Sequence, residues 1–175
     1  MLANHKKTIQ KIAEESQPKV VVEVGLKYST KDLLPIFTKL GAHYHGVDPV
    51  RCPDVPSKNF TYHEGLSLDV LPTIKNIDFV MLDGDHTYYT VFHELKLLHQ
   101  LMKKGGVILF HDVEPPHNRK DLYYNIDLIP EEYRNGPKQG VLTAVEDFLD
   151  LYKEFYTPLE THSGFNGLGV IRRIK

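Results

Sequence analysis

The chain holds a single cysteine, Cys52, among 175 residues. One thiol excludes an internal disulfide framework and every CxxC zinc pattern, and it suits a reducing compartment. An excess of charge is missing too. Lysine and arginine total 21 against 23 aspartates and glutamates, a formal net charge of -2 with ten histidines neutral. No large basic field tracks a phosphate backbone, so nucleic acid is not an expected partner. No apolar run approaches the roughly 18 residues of a membrane span. The opening MLANHKKTIQKIAEES is polar and amphipathic, without the apolar core of a signal peptide. The expectation is a soluble, cytoplasmic protein whose residues 1–175 form one compact domain.

What is present is an alternation of apolar runs and amphipathic stretches. Residues 1–17 read as an N-terminal helix. KVVVEVG is a nearly continuous β-branched run ending at Gly25, the pattern of a parallel strand buried on both faces. Ser29 or Thr30 can cap a helix that runs to about Leu40, with Pro35 an awkward insertion. AHYHGVDP, NFTYHEG, IDFVMLD and GVILFHD read as further strands, and SLDVLPTIK as a short helix or turn. From Thr87 to Met102, Val91, Leu95, Leu98 and Met102 share one helix face. Residues 114–140 carry four prolines and several tyrosines, a length and composition typical of a lid or substrate loop. Val141 to Tyr152 reads as the last helix, and EFYTPLE and GFNGLGVIRRIK as two closing strands in an antiparallel hairpin. The class is α/β, a Rossmann-like doubly wound sheet, mostly parallel.

The chemistry gathers in the segment from Phe79 to Val113. Two like-directed strands deliver Asp83, Asp85, His86, His111 and Asp112 to one sheet edge. Acids and imidazoles gathered at strand ends are costly unless they bind something. Asp83 and Asp112 can hold a hard divalent cation if their strands are neighbours, with His111 as a third ligand. His86 can then act as general base on a bound hydroxyl. The plainer alternative is that Asp85 caps the following helix. Gly25 either admits a ligand to the backbone or makes a tight turn. Glu23 can orient that loop or a ligand amine. Asp48, 23 residues after Gly25, can accept both hydroxyls of a ribose, or serve as a turn residue before Pro49. Tyr88, Tyr89, Tyr123, Tyr124 and Tyr133 can wall an acceptor pocket or fill gaps beneath a long loop.

VEVG, GVDP, EGLS, LDGDHTY and KKGGVILFHDV resemble, in order and spacing, the class I S-adenosylmethionine-dependent methyltransferases. LDGDH and GGVILFHD are most similar to the metal-dependent small-molecule O-methyltransferases, in the branch of macrolide-sugar O-methyltransferases and cephalosporin-hydroxylase-like proteins. The resemblance implies a strand order 3-2-1-4-5-7-6 and S-adenosylmethionine plus a divalent cation, magnesium by preference. It implies that Glu23 and Gly25 meet the methionine end, Asp48 the ribose, and Gly65, Leu66 and Ser67 the adenine. Asp83, Asp112 and His111 become the metal site, Asp83 also lining the cofactor site. Asp83 and His86 become the catalytic pair. The chain departs from the family's Gly-x-x-x-Gly-x-Ser loop, reading Gly25-Leu26-Lys27-Tyr28-Ser29. Lys27 either crowds or binds the methionine carboxylate. Expected partners are a small-molecule acceptor such as a sugar and, as an option, further copies of the chain, but no membrane. A non-catalytic cofactor-binding domain and a metal-dependent phosphoester hydrolase stand as alternatives, although no GxSxG elbow or cysteine nucleophile occurs.

Overall fold

The computed structural model describes residues 2–26, 29–50 and 53–175. Lys27, Tyr28 and Cys52, on which some of these expectations fall, lie outside the described residues. Among the described residues the strands are β1 (Val20–Val24), β2 (His43–Asp48), β3 (Phe60–Glu64), β4 (Phe79–Leu82), β5 (Val107–His111), β6 (Glu160–His162) and β7 (Leu168–Arg172). They form one sheet in the order β3-β2-β1-β4-β5-β7-β6. The first five are parallel to one another, and β7 runs antiparallel to both β5 and β6. This is the order and sense the resemblance implies.

Side chains alternate across the pleat, so each central strand feeds two cores. Val21, Tyr44, Phe79, Met81 and Leu109 face the layer of α1 (Lys6–Ser16) and α2 (Ser29–Lys39). Val22, Val24, Val80, Leu82 and Phe110 face α4 (Tyr88–Leu101) and α5 (Val141–Tyr152). Phe37 and Phe79 meet edge to face at 5.0 Å between centroids, which fixes α2 against the sheet. The short α3 (Ser67–Val70) follows β3. No helix among the described residues is long and apolar enough to cross a membrane.

Three local readings change. Residues Leu2–His5 form a 3-10 turn, and the α-helix starts only at Lys6, because His5 offers no side-chain cap. Pro35 sits within α2 without ending it, on an exposed face where water can solvate the carbonyl it leaves unpaired. The penultimate strand is not EFYTPLE. Pro158 has no N–H for a ladder, and Tyr156 is buried, so the strand begins only at Glu160.

Candidate active site

The register places five turns on one sheet edge. Val24 lies beside Val47 and Leu82, Asp48 beside Glu64, and Leu82 beside Phe110. Gly25, Asp48, Gly65, Asp83 and His111 therefore emerge together at the carboxyl ends, where open α/β sheets bind ligands. Gly25 donates to the Val47 carbonyl at 2.9 Å, and the Leu26 N–H donates to Asp48 Oδ2 at 2.9 Å. The other Asp48 oxygen accepts from the Val50 N–H at 2.9 Å. Asp48 thus ties the glycine loop to its own turn. Gly65 donates to the Asp48 carbonyl at 3.4 Å, which joins the second and third turns.

Glu23 lies beneath this loop, fully buried. Its oxygens accept from the hydroxyls of Ser29, Thr30 at 2.6 Å and Tyr44 at 2.8 Å. Burial pushes its carboxyl up to about 7, against those three hydrogen bonds. The side chain anchors the first turn of α2 to β1.

Asp83, His86, His111 and Asp112 converge between β4 and β5, all buried. His86 Nδ1 stands 2.7 Å from Asp112 Oδ2, and its Nε2 stands 3.3 Å from Asp83 Oδ1. His111 Nδ1 reaches both carboxylates, at 3.3 Å from Asp83 Oδ1 and 3.2 Å from Asp112 Oδ1. These are ion-pair contacts more than aligned hydrogen bonds: both His86 nitrogens and Asp112 Oδ1 are buried without a hydrogen-bond partner. Burial alone would lower His86, yet Asp112 and Asp83 outweigh it and push the imidazole up to about 10. Burial likewise opposes the charge on Asp83 and Asp112, but the histidines hold both carboxyls below the usual range. Asp112 adopts a left-handed backbone, φ 60°, a conformation that clusters at functional sites. One donor atom each from Asp83, His86 and Asp112 fall within 4.8 Å of one another, a spacing that could hold a metal ion. His86 therefore joins the acids as closely as His111 does.

Two neighbours frame the cluster. The Leu2 N–H donates to Asp83 Oδ2 at 3.2 Å, and the His5 ring lies 6.0 Å from that of His111. On the other side, residues 114–140 fold back. Leu122 bridges His86, and Tyr124, 60% exposed, meets the His86 ring edge-on at 5.8 Å. Buried Asp121 holds this segment down by accepting from the N–H groups of Tyr88 and Gly140, each at 2.7 Å. The other tyrosines divide. Tyr88 belongs to the core, stacked on Phe92 at 5.4 Å with its hydroxyl on Asp147, and does not wall a pocket. Tyr89 packs on Tyr133 at 4.8 Å, and Tyr123 donates to Asp121. Asp85 accepts from the hydroxyls of Thr87 and Thr90 at the start of α4, with Thr87 as the N-cap.

Sequence reasoning missed Asp121 and Glu94. Nothing distinguishes Asp121 among the charges of its loop. Glu94 left a signal: it follows Val91 by three positions on the buried face of α4. Its carboxyl is buried near Ser67, its Oε1 has no hydrogen-bond partner, and burial pushes it up to about 8. An acid whose pKa is raised by folding takes up a proton on folding. Its contribution is fully present below its ordinary 4.5 and falls away as pH rises to about 8. Glu94→Gln should therefore flatten the decline of thermal stability across that window, narrowing it by about 1 kcal/mol or more at pH 9. Parallel melting-temperature profiles for wild type and variant would reject burial as the cause.

A family model described as a methyltransferase domain matches residues 22–113. An uncharacterized protein of Acanthamoeba polyphaga mimivirus is 36% identical over 58 residues, 33% of this chain and 26% of that protein. The match thus spans about a quarter of that curated relative. An SAH-bound methyltransferase of Podospora anserina superposes with a TM-score of 0.64 at 15% identity, over 98% of this chain and 78% of its own. An O-methyltransferase of Bacillus cereus in complex with SAH gives 0.64 at 14%, over 98% and 81%. MycE from the mycinamycin biosynthetic pathway, in complex with Mg and SAH, gives 0.66 at 14%, over 99% of this chain and 50% of its own.

Proposed function

Because the chain belongs to the methyltransferase-domain family, we propose that it transfers the methyl group of S-adenosylmethionine to a hydroxyl of a small molecule such as a sugar, with a divalent cation at the acid cluster. The observation that carries this reading is the approach of Asp83, His86 and Asp112 within 4.8 Å at the ends of adjacent strands. The buried Asp112 Oδ1, which makes no hydrogen bond, fits a positive partner. Two carboxylates suit magnesium, while the imidazoles broaden the set toward manganese. When bound, a dication supplies Lewis acidity to an acceptor oxygen and displaces the pull of the carboxylates on the His86 proton.

The chain's own residues do the rest. Methyl transfer is an in-line displacement, so alignment supplies much of the rate enhancement. Asp48 and the Gly25 turn form the ribose and methionine end, with Glu23 bracing the loop from below. Gly65, Leu66 and buried Ser67 offer the adenine end. Asp83, Asp112 and His111 would hold the cation, which leaves His86, between Leu122 and the carboxylates, as the proton acceptor on the acceptor side. Tyr124 offers an exposed aromatic face beside it, suited to a sugar ring.

Calorimetric titration with S-adenosylhomocysteine tests the cofactor half. Asp48→Ala should weaken binding about tenfold or more, equivalent to about 1.4 kcal/mol. An unchanged dissociation constant would remove Asp48 from the cofactor site. Transfer of labelled methyl to a panel of sugars and phenols, with magnesium or manganese, tests the second half. Tight cofactor binding without transfer to any hydroxyl would favour a non-catalytic binding domain.

A further inference from the structure

His43, His45 and His63 occupy one face of the outer strand pair, with β1 between them and β4. The parallel register sets His45 beside Thr61 and Val47 beside His63, so the rings point the same way from the sheet. All three are half-buried. His45 Nδ1 and His63 Nε2 face each other at 2.9 Å. The His43 ring lies 4.8 Å from that of His45, with its Nε2 2.8 Å from Thr61 Oγ1.

We propose that His45 and His63 form a chelating site for a first-row transition-metal dication, separate from the acid cluster and independent of the activity proposed above. The two opposed nitrogens have the spacing of a chelate. Metal–nitrogen bonds of about 2.0–2.1 Å place two ligands about 2.9 Å apart at a right angle and about 3.4 Å apart at a tetrahedral one. The observed 2.9 Å matches the right angle. A small turn of the rings off the N···N line serves either geometry, and Ni²⁺ and Cu²⁺ lead the first-row dications in affinity for imidazole. The pair is also in the right state to ligate. Burial, then the neighbouring histidines, hold His45 down to about 4, and burial and His43 hold His63 low. Both rings thus keep a lone pair at neutral pH, as ligation requires. Two protein ligands leave the other positions to water. The competing account is a plain N–H···N hydrogen bond between neutral rings.

The position gives such a site a consequence. β3 is an outer strand, tied to the sheet through β2 alone. His63 precedes Glu64 and Gly65, and its register partner Val47 precedes Asp48. A metal between His45 and His63 would clip β3 to β2 immediately beneath the turns assigned to the ribose and adenine.

Untagged, chelator-stripped full-length protein should be titrated with Ni²⁺ alone by calorimetry and melted with and without it. Wild type should bind Ni²⁺ and gain thermal stability. Because the acid cluster also offers imidazoles and carboxylates to a dication, Asp112→Asn is the background for the comparison, and Ni²⁺ binding should persist there. His63→Gln and His45→Gln should each weaken it at least about tenfold. Loss of either ring also removes the hydrogen bond, so the metal-dependent gain in melting temperature is the deciding readout. Should the more buried His45→Gln not fold, His63→Gln carries the comparison alone. Ni²⁺ affinity unchanged when His63→Gln is added to Asp112→Asn, or lost in Asp112→Asn alone, would overturn the proposal.

Discussion

Asp83→Asn and Asp112→Asn should each lower methyl transfer by at least about a hundredfold while the protein stays folded. Both carboxylates are buried, and both are held ionised by His86 and His111. Asparagine preserves the volume and one carbonyl acceptor but removes the charge. In Asp83→Asn the Leu2 N–H can still donate to the side-chain oxygen, so the N-terminal turn keeps its anchor. The imidazoles fare worse, because each loses one of two anionic partners. Breaking a buried pair on one side typically costs about 3–5 kcal/mol. Here the second carboxylate remains and a histidine can release its proton, so the loss should fall below that range. The two effects separate by measurement. Melting temperature reports the pairing, and S-adenosylhomocysteine affinity reports the cofactor end, which Asp48 and not Asp112 is assigned to govern. If turnover in both variants stays within a few-fold of wild type while cofactor affinity holds, the cluster is a structural knot and the metal-assisted scheme fails.

How much of this was legible in the chain depends on range. β1, β4 and β5 announce themselves because strands buried on both faces must be apolar at every position. α4 is legible because its stripe is long enough to carry the period, although Thr87, and not the expected Asp85, is its N-cap. Convergence of Asp83 and Asp112 followed from one inference, that strands on either side of a single helix are neighbours. What the sequence concealed are contacts that join distant segments. The donation from Leu2 to Asp83 spans 81 residues, and Asp121 reaches back 33 residues to Tyr88. Neither leaves a periodic trace. Tyr88 shows the same limit differently. An aromatic next to an acidic turn reads as a pocket wall, yet its place in the first turn of α4 buries the Tyr88 ring against Phe92 and sends its hydroxyl to half-buried Asp147. The closing strand was displaced because β-propensity in EFYTPLE outvoted one proline. The three strand histidines carry no local sign of meeting, since only the register of β2 on β3 brings His45 to His63.

Gly25→Ala should be a severely damaging single methyl group, and the one that strikes the site directly. Gly25 has φ +88°, where an L side chain is strained by about 1–2 kcal/mol. That strain is the smaller part. A Cβ there would sit 2.3 Å from the Asp83 carbonyl oxygen and 2.6 Å from the Gly84 Cα. Both are backbone atoms of the turn that carries the acid cluster, and neither can swing aside as a side chain could. Forcing β1 and β4 apart should add about 1–3 kcal/mol of overpacking. The total, about 2–5 kcal/mol, corresponds to a melting point lowered by about 5–15 °C for a chain of this size. The clash also predicts a functional loss beyond stability, because the same displacement strains the Leu26–Asp48 hydrogen bond and shifts Asp83. Gly41→Ala supplies the control. Gly41 also has a left-handed backbone, φ +75°, but a Cβ there meets nothing within 4 Å. It should cost only the backbone strain and leave cofactor affinity unchanged. Equal losses of stability in the two variants would mean that the turns of β1 and β4 are not in contact. The cofactor cleft would then have to be built some other way.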